Sequence, residues 1–357
     1  MIDWQDRQRS SAIRIAVVLD LRFPGGTSAA VAAELPELAR IGTVEIYAIT
    51  TRMFRNRDRN PVLNEAIVEA GLTVHHNPRV ISADIVLFHN PSALRFDTAL
   101  KPRIVCDTFV CVCHENFLLP NGDEAFDVGT CLDILDTALL CRARVLAPVS
   151  AYNRTTIADW SHAAGRPDNW AIATRSWMNI CAFELQPPTD SPQDRRGRHS
   201  RPGFEKFPGP EAMDLAFPAH AQANHILGGD IFIQDDAPAH WTLYPFRSIP
   251  VERLLDAIDF FVYFTNPLWR ESFGRVIAEA IAAGKPVLTD PATAANFGPN
   301  VLGLAVADVD ACIRQHLDNP AKYQKLVHAQ QADLAAYSGA CFRRDATAIL
   351  TEAGARP

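Results

Sequence analysis

Two carboxylates, Glu271 and Glu279, stand in the stretch Trp269-Arg-Glu-Ser-Phe-Gly-Arg-Val-Ile-Ala-Glu-Ala-Ile-Ala-Ala-Gly-Lys-Pro-Val-Leu288. A strand-like run ends at Phe264, a loop carries Glu271, and a helix begins near Gly274, stopped by Gly284 and Pro286. Glu271 then precedes the helix N-terminus, and Glu279 lies about one and a half turns inside it. The free amides of Ser272, Phe273, Gly274 and Arg275 would face the same cleft, ready for an anion. A carboxylate accepts two adjacent hydroxyls of a sugar or ribose. The set suits a ligand made of a sugar, a phosphate and a second sugar, which describes a nucleotide-sugar. Taken alone, a helix cap at Glu271 and a solvated helix residue at Glu279 account for the pair better.

A second group is cationic: Gly197-Arg-His-Ser-Arg201-Pro-Gly-Phe-Glu-Lys206. A guanidinium fork and a lysine point charge suit a pyrophosphate and stabilise charge on a leaving group. Arg201 and Lys206 are the first choice, with Arg198 the rival; a solvated basic loop is the plain alternative. Lysine is scarce here, only five of the 34 basic residues, so Lys206 stands out. Near the start, Pro24-Gly25-Gly26-Thr27 would let backbone approach a phosphate or acceptor at a helix start. It is not Gly-x-Gly-x-x-Gly, which argues against a dinucleotide site and an NAD-dependent dehydrogenase. His89 and His114 each follow a buried strand, and ligands of parallel sheets sit beyond the carboxyl ends of strands. A neutral imidazole there could accept a sugar hydroxyl proton or bond the donor.

The elements that must position these residues alternate. Ile13–Leu19, Val44–Thr50, Ile85–His89, Ile104–Cys113 and Cys141–Val149 read as buried strands. Thr27 to Arg40 reads as a helix, with Val31, Leu35, Leu38 and Ile41 on one side. Gln186-Pro-Pro-Thr-Asp-Ser-Pro-Gln-Asp-Arg-Arg-Gly197 breaks the composition and reads as a linker. Beyond it, Asn224–Leu227, Trp241–Tyr244, Phe260–Phe264 and Pro286–Thr289 read as strands. Helices are expected near Val251–Ala257, Gly274–Ala283, Val309–Leu317 and Pro320–Tyr337. This pattern predicts two doubly wound α/β domains.

Composition bounds the function. With 357 residues, 48% of them apolar, the chain suits about two domains with their own cores. A net charge of -7 argues against wrapping nucleic acid. The first residues lack a signal peptide's apolar core, and no run approaches a membrane span. The eight cysteines are therefore expected to be reduced thiols in a cytoplasm. In Cys111-Val-Cys113-His114 the histidine would point away from both thiols, which is wrong for a metal site. The basic loop Arg52-Met-Phe-Arg55-Asn-Arg57-Asp-Arg59 suits an anionic acceptor or membrane surface, or simply solvent.

The stretch Glu271-Ser-Phe-Gly through Glu279-Ala to Gly284-Lys-Pro-Val resembles the Glu-x7-Glu signature of retaining glycosyltransferases of family GT4. The Gly-Arg…Lys element, with a longer Arg-to-Lys interval than is common, and the Gly25-Gly26 turn are similar to that family's and fall in its order. The resemblance implies the GT-B fold: two Rossmann-like domains with parallel sheets facing a cleft. It implies residues 1–185 as the acceptor-side domain, 186–196 as linker and 197–336 as the nucleotide-sugar-binding domain. It also implies that 337–357 pack back on the first domain. The implied activity is retaining transfer from a nucleotide-sugar to a glycan, lipid-linked or other acceptor, metal-independent and without a cofactor. Glu271, His114, Lys206 and Arg201 would be catalytic. Gly25, Gly26, Arg198, Ser272, Phe273, Gly274, Arg275 and Glu279 would bind the donor. The layout looks like that of bacterial enzymes of surface-polysaccharide assembly, at the inner face of the membrane. The rivals are a non-catalytic GT-B-like binding module and a GT-B-fold epimerase.

Overall fold

The computed structural model describes residues 12–165, 169–233 and 237–355, so the opening residues read above lie outside the described part. Near-continuous apolar runs become strands buried on both faces. β1 (Arg14–Leu19), β2 (Thr43–Ala48), β3 (Val74–His76), β4 (Val80–Ser82), β5 (Ile85–His89), β6 (Arg103–Cys113), β7 (Leu139–Pro148) and β8 (Ala171–Ile172) form the first sheet. Its order is β3-β2-β1-β5-β6-β7-β8, with β4 also paired to β6, and every pairing is parallel. Three short strands, β3, β4 and β8, escape the sequence pattern because each has only two or three residues.

The second sheet contains β9 (Arg195–His199), β10 (Ala223–Leu227), β11 (Thr242–Tyr244), β12 (Phe260–Tyr263), β13 (Val287–Thr289) and β14 (Leu302–Gly303). Its order is β11-β10-β9-β12-β13-β14, again all parallel. Both sheets are doubly wound, so each reverses strand order once, between β1 and β5 and between β9 and β12. Crevices for ligands open at such reversals, beyond the carboxyl ends.

The central strand β9 departs from expectation. Its sequence, Arg-Arg-Gly-Arg-His, looks like a basic loop, and Arg195 and Arg196 were expected in the linker. They are instead the first residues of a buried strand. The cost of burying charge is offset by fixed partners. Arg195 forks onto Asp259 at 2.7 and 3.0 Å. Arg196 meets Asp194 at 2.7 Å and Asp310 at 2.7 Å. Gly197 is required for a different reason: a Cβ there would stand 2.6 Å from Ile258 Cγ2 and 3.0 Å from the His225 carbonyl.

The last helix, Gly339–Glu352, lies on helix Gly26–Leu38 of the first layer. Phe342 packs edge-on against Trp177, centroids 5.4 Å apart, and Arg343 pairs with Glu37. Asp345 receives Arg175 at 3.0 Å. The chain thus crosses between layers twice, and one apolar cluster runs from Val31 and Trp177 to Ile281 and Phe342. Among the described residues, no helix is long and apolar enough to cross a membrane.

Candidate functional site

At the reversal of the second sheet, three side chains converge. Lys206 Nζ donates to Glu271 Oε1 at 2.6 Å, and the Tyr263 hydroxyl donates to the same oxygen at 2.6 Å. Tyr263 closes β12, and Lys206 ends the short turn Phe204–Lys206 after β9. The loop carrying Glu271 joins β12 to helix Arg275–Ala282. Gly274 must turn there with φ +95°, a conformation that favours glycine. Burial raises the Glu271 carboxyl, but Lys206, Tyr263 and the more distant Arg201 outweigh it and hold the group below its ordinary range. Lys206 also sits 5.4 Å from the Trp269 ring centroid, a cation–π distance.

The arginines divide. Arg201 is more than half exposed and lies 3.0 Å from Glu205, with its charge felt at Glu271. Arg198, one of the expected donor ligands, is 1% exposed and lies between the Phe207 and Tyr263 rings, at 4.3 and 4.8 Å. It donates to the carbonyls of Phe264, at 2.7 Å, and Lys206. Arg198 ties together the loops that present Lys206 and Glu271. Burial lowers its pKa to about 10.

Glu279 is half-buried, with Arg275 Nε at 3.1 Å and His199 Nε2 at 3.5 Å. Burial raises its pKa, and Arg275 only partly opposes the shift. His199 is pushed down to about 4 by burial and by Arg198, which keeps its ring neutral. Beside it opens a cavity of about 410 Å³, lined by His199, Ser200, Arg247 and Ile249 among others. Ser200 Oγ and His199 Nε2 are buried there without hydrogen-bond partners, and Arg247 holds the left-handed conformation, φ 63°. These buried polar groups give the cavity wall atoms able to bond a polar ligand.

Of the remaining expected residues, Ser272 is half-buried in the Glu271 loop, whereas Phe273 is core, its ring tilted against Phe297 with centroids 5.0 Å apart. Gly25 and Gly26 are exposed at the start of helix Gly26–Leu38, and Gly25 has φ 70°. Beneath that turn Asp20 accepts Arg22 at 2.9 and 2.7 Å and the Thr51 amide at 2.8 Å. His89 and His114 are not alternatives but neighbours: His89 Nδ1 is 3.1 Å from His114 Nε2. Asn116, two residues on, donates to the Arg270 carbonyl at 3.0 Å, so the His114 loop touches the Glu271 loop across the cleft.

Sequence reasoning missed Tyr263, Trp269, His199, Ser200 and Arg247. Tyr263 was legible only as part of an apolar strand, though it alternates with Phe261 on one face. The cavity loop Pro245-Phe-Arg-Ser-Ile-Pro250 carries no chemical signal of its own. Cys111 and Cys113 lie on β6, buried in the core of the first domain. Among the described residues, Asp194, His220 and Asp310 lie close enough to hold a metal, but Arg196 already sits between the two carboxylates.

No family model and no curated protein matches the chain. Solved structures do. Anabaena Alr3699/HepE in complex with UDP-glucose superposes with a TM-score of 0.65 at 13% identity, covering 95% of this chain and 100% of that one. The lipopolysaccharide outer core galactosyltransferase WaaB gives 0.57 at 12%, covering 95% and 100%. A UDP-forming trehalose-phosphate synthase from Burkholderia xenovorans gives 0.57 at 10%, covering 97% and 100%. At such identities the likeness shows the fold, and that fold is GT-B: two parallel-sheet α/β domains about a cleft.

Proposed function

We propose that the chain is a retaining glycosyltransferase of GT4 type, taking a nucleotide-sugar as donor. The observation that carries this is the Lys206–Glu271–Tyr263 cluster beside a cavity with unpaired polar atoms, both at one sheet reversal. The cavity suits the nucleotide base, and Glu279 beside it suits the ribose hydroxyls. Lys206 and Arg201 hold the diphosphate with the amides after Glu271. Glu271 then turns to the transferred sugar, with His114 facing it from the other domain. Charge that builds on the leaving diphosphate is met by these cations and amides, without a metal ion. The front-face course that the resemblance implies accounts for retention. The structural relatives support a nucleotide donor: one was solved with UDP-glucose. A glycan or lipid-linked acceptor would enter from the first domain, whose exposed Arg55, Arg57 and Arg59 suit an anionic acceptor or the inner membrane face.

The test is a thermal-shift panel of UDP, GDP, dTDP and CMP with their sugar conjugates. One nucleotide family raises Tm by mass action, and Lys206→Ala abolishes the rise. Absence of stabilisation by every nucleotide, or an unchanged shift in Lys206→Ala, sinks the reading.

A further inference from the structure

The loop that carries Glu271 is held from the other domain. Asn116, buried in the loop after β6, donates its Nδ2 to the Arg270 carbonyl at 3.0 Å. Among the described residues, this is the one hydrogen bond to the loop backbone between Arg270 and Phe273. Before that stretch the loop closes on itself. The Trp269 amide donates to the Asn266 carbonyl at 2.8 Å, and Thr265 Oγ1 donates to the Trp269 carbonyl at 3.0 Å. The Arg270 guanidinium is shared between the domains, 5.1 Å from the centroid of the Tyr152 ring in the first and 3.5 Å from Asp290 in the second.

Asn116 has one amide orientation that satisfies its neighbours. The Val149 N–H can only donate, and it meets Asn153 Oδ1 at 3.0 Å. Asn153 Nδ2 therefore faces the other way, donating to the Glu115 carbonyl at 3.0 Å and to Asn116 Oδ1 at 3.1 Å. With its oxygen taken, Asn116 presents its NH₂ to Arg270, whose carbonyl can only accept. Backbone groups of fixed sense stand at both ends, so the two amides between them are ordered. Asn153 is fully buried, and its own amide donates to the Ser150 hydroxyl at 3.1 Å, the cap of helix Ala151–Ala163. That cap anchors the line in the first domain. Every member is uncharged, so pH does not alter it.

We infer that Asn116 is a positioning residue through which the first domain sets the Glu271 loop, gripping it one residue before the carboxylate. The cavity, Lys206 and Glu279 all belong to the second domain, so a donor can be held without this bond. Glu271 takes its place against the sugar when Asn116 reaches Arg270. The inference rests on the proposed role of Glu271. Asn116→Asp tests it at constant size: the oxygen that Asn153 needs is kept, and a second acceptor is set against the Arg270 carbonyl. Asn116→Ala removes the bond without adding charge and answers the same question should the aspartate variant fail to fold.

The substrate is the sugar conjugate of UDP, GDP, dTDP or CMP that stabilises the full chain most, with water as acceptor. In each variant kcat should fall by roughly 10- to 10²-fold, with KM within about threefold. In a Glu271→Gln background the same substitution should cost less than about twofold, since the group it positions is already lost. Unchanged kcat, a loss confined to KM, or an equal loss in both backgrounds overturns the inference. A second readout needs no turnover: 5-fluorotryptophan NMR, with the Trp269 and Trp241 lines assigned through their Phe variants. Both Asn116 variants should move the Trp269 line and leave that of Trp241, beside the edge strand β11, in place. An unmoved Trp269 line overturns the inference. A wild type that turns over none of these conjugates instead sinks the functional reading, and the Trp269 line alone then decides this one.

Discussion

At the reversal of the first sheet, Asp20 and Arg22 close on each other, and the groups left facing the cleft are half-buried His114 and the exposed glycine turn. At the reversal of the second, Lys206 and Glu271 pair in a largely buried contact, Glu279 is half-buried, and Arg201 is more than half exposed. The two crevices have the same backbone plan and opposite chemistry. One offers a neutral imidazole; the other offers cations and carboxylates held against each other. The same topology supplies places for residues, and the residues supply the division of labour.

The largest expected effect lies on the charged side. Glu271→Gln should lower glycosyl transfer by roughly 10²–10³-fold in a steady-state assay, since on the proposed reading it removes a group aimed at the reacting sugar. His114→Ala lowering transfer more than Glu271→Gln would invert the comparison. Next comes Arg198→Met, which leaves two carbonyls unpaired beneath the charged crevice. A loss of about 2–4 kcal/mol by urea titration is expected, with donor affinity in the folded fraction little changed. Weakened affinity at full stability would return Arg198 to the role of ligand.

The third effect separates the sides by pH. The ordinary histidine value is 6.5, and His199 is held near 4 in the folded chain. The unfolded chain therefore binds a proton first as pH falls. The stabilisation is complete above pH about 6.5 and is lost at up to about 1.4 kcal/mol per unit down to about 4. His199→Gln should flatten that part of the Tm–pH curve, and a parallel curve would disprove it. The smallest effect belongs to Arg201→Ala. Being more than half exposed, it should cost UDP binding about two- to fivefold by calorimetry, and the difference should fade in high salt.

The sequence displayed both sheets wherever apolar runs marked strands buried on two faces, as in Ile85–His89. It concealed β9, because no hydrophobic pattern registers arginines whose counter-ions, Asp259 and Asp310, lie more than sixty positions away. The Glu271 loop was legible as a motif, whereas its partner Tyr263 was not, since a tyrosine in an apolar run looks like packing. Glu34 did leave a trace. It falls between Val31 and Leu35 on the buried stripe of its helix, where a carboxylate needs a partner. Trp177, distant in sequence, supplies one through its indole N–H.

The return of helix Gly339–Glu352 to the first layer has a consequence for synthesis. Translation is vectorial, so the strands of the first sheet emerge long before the helix that covers Trp177 and helix Gly26–Leu38. Until then that surface stays uncovered and open to chaperones, and the first layer is finished only after the second has been made.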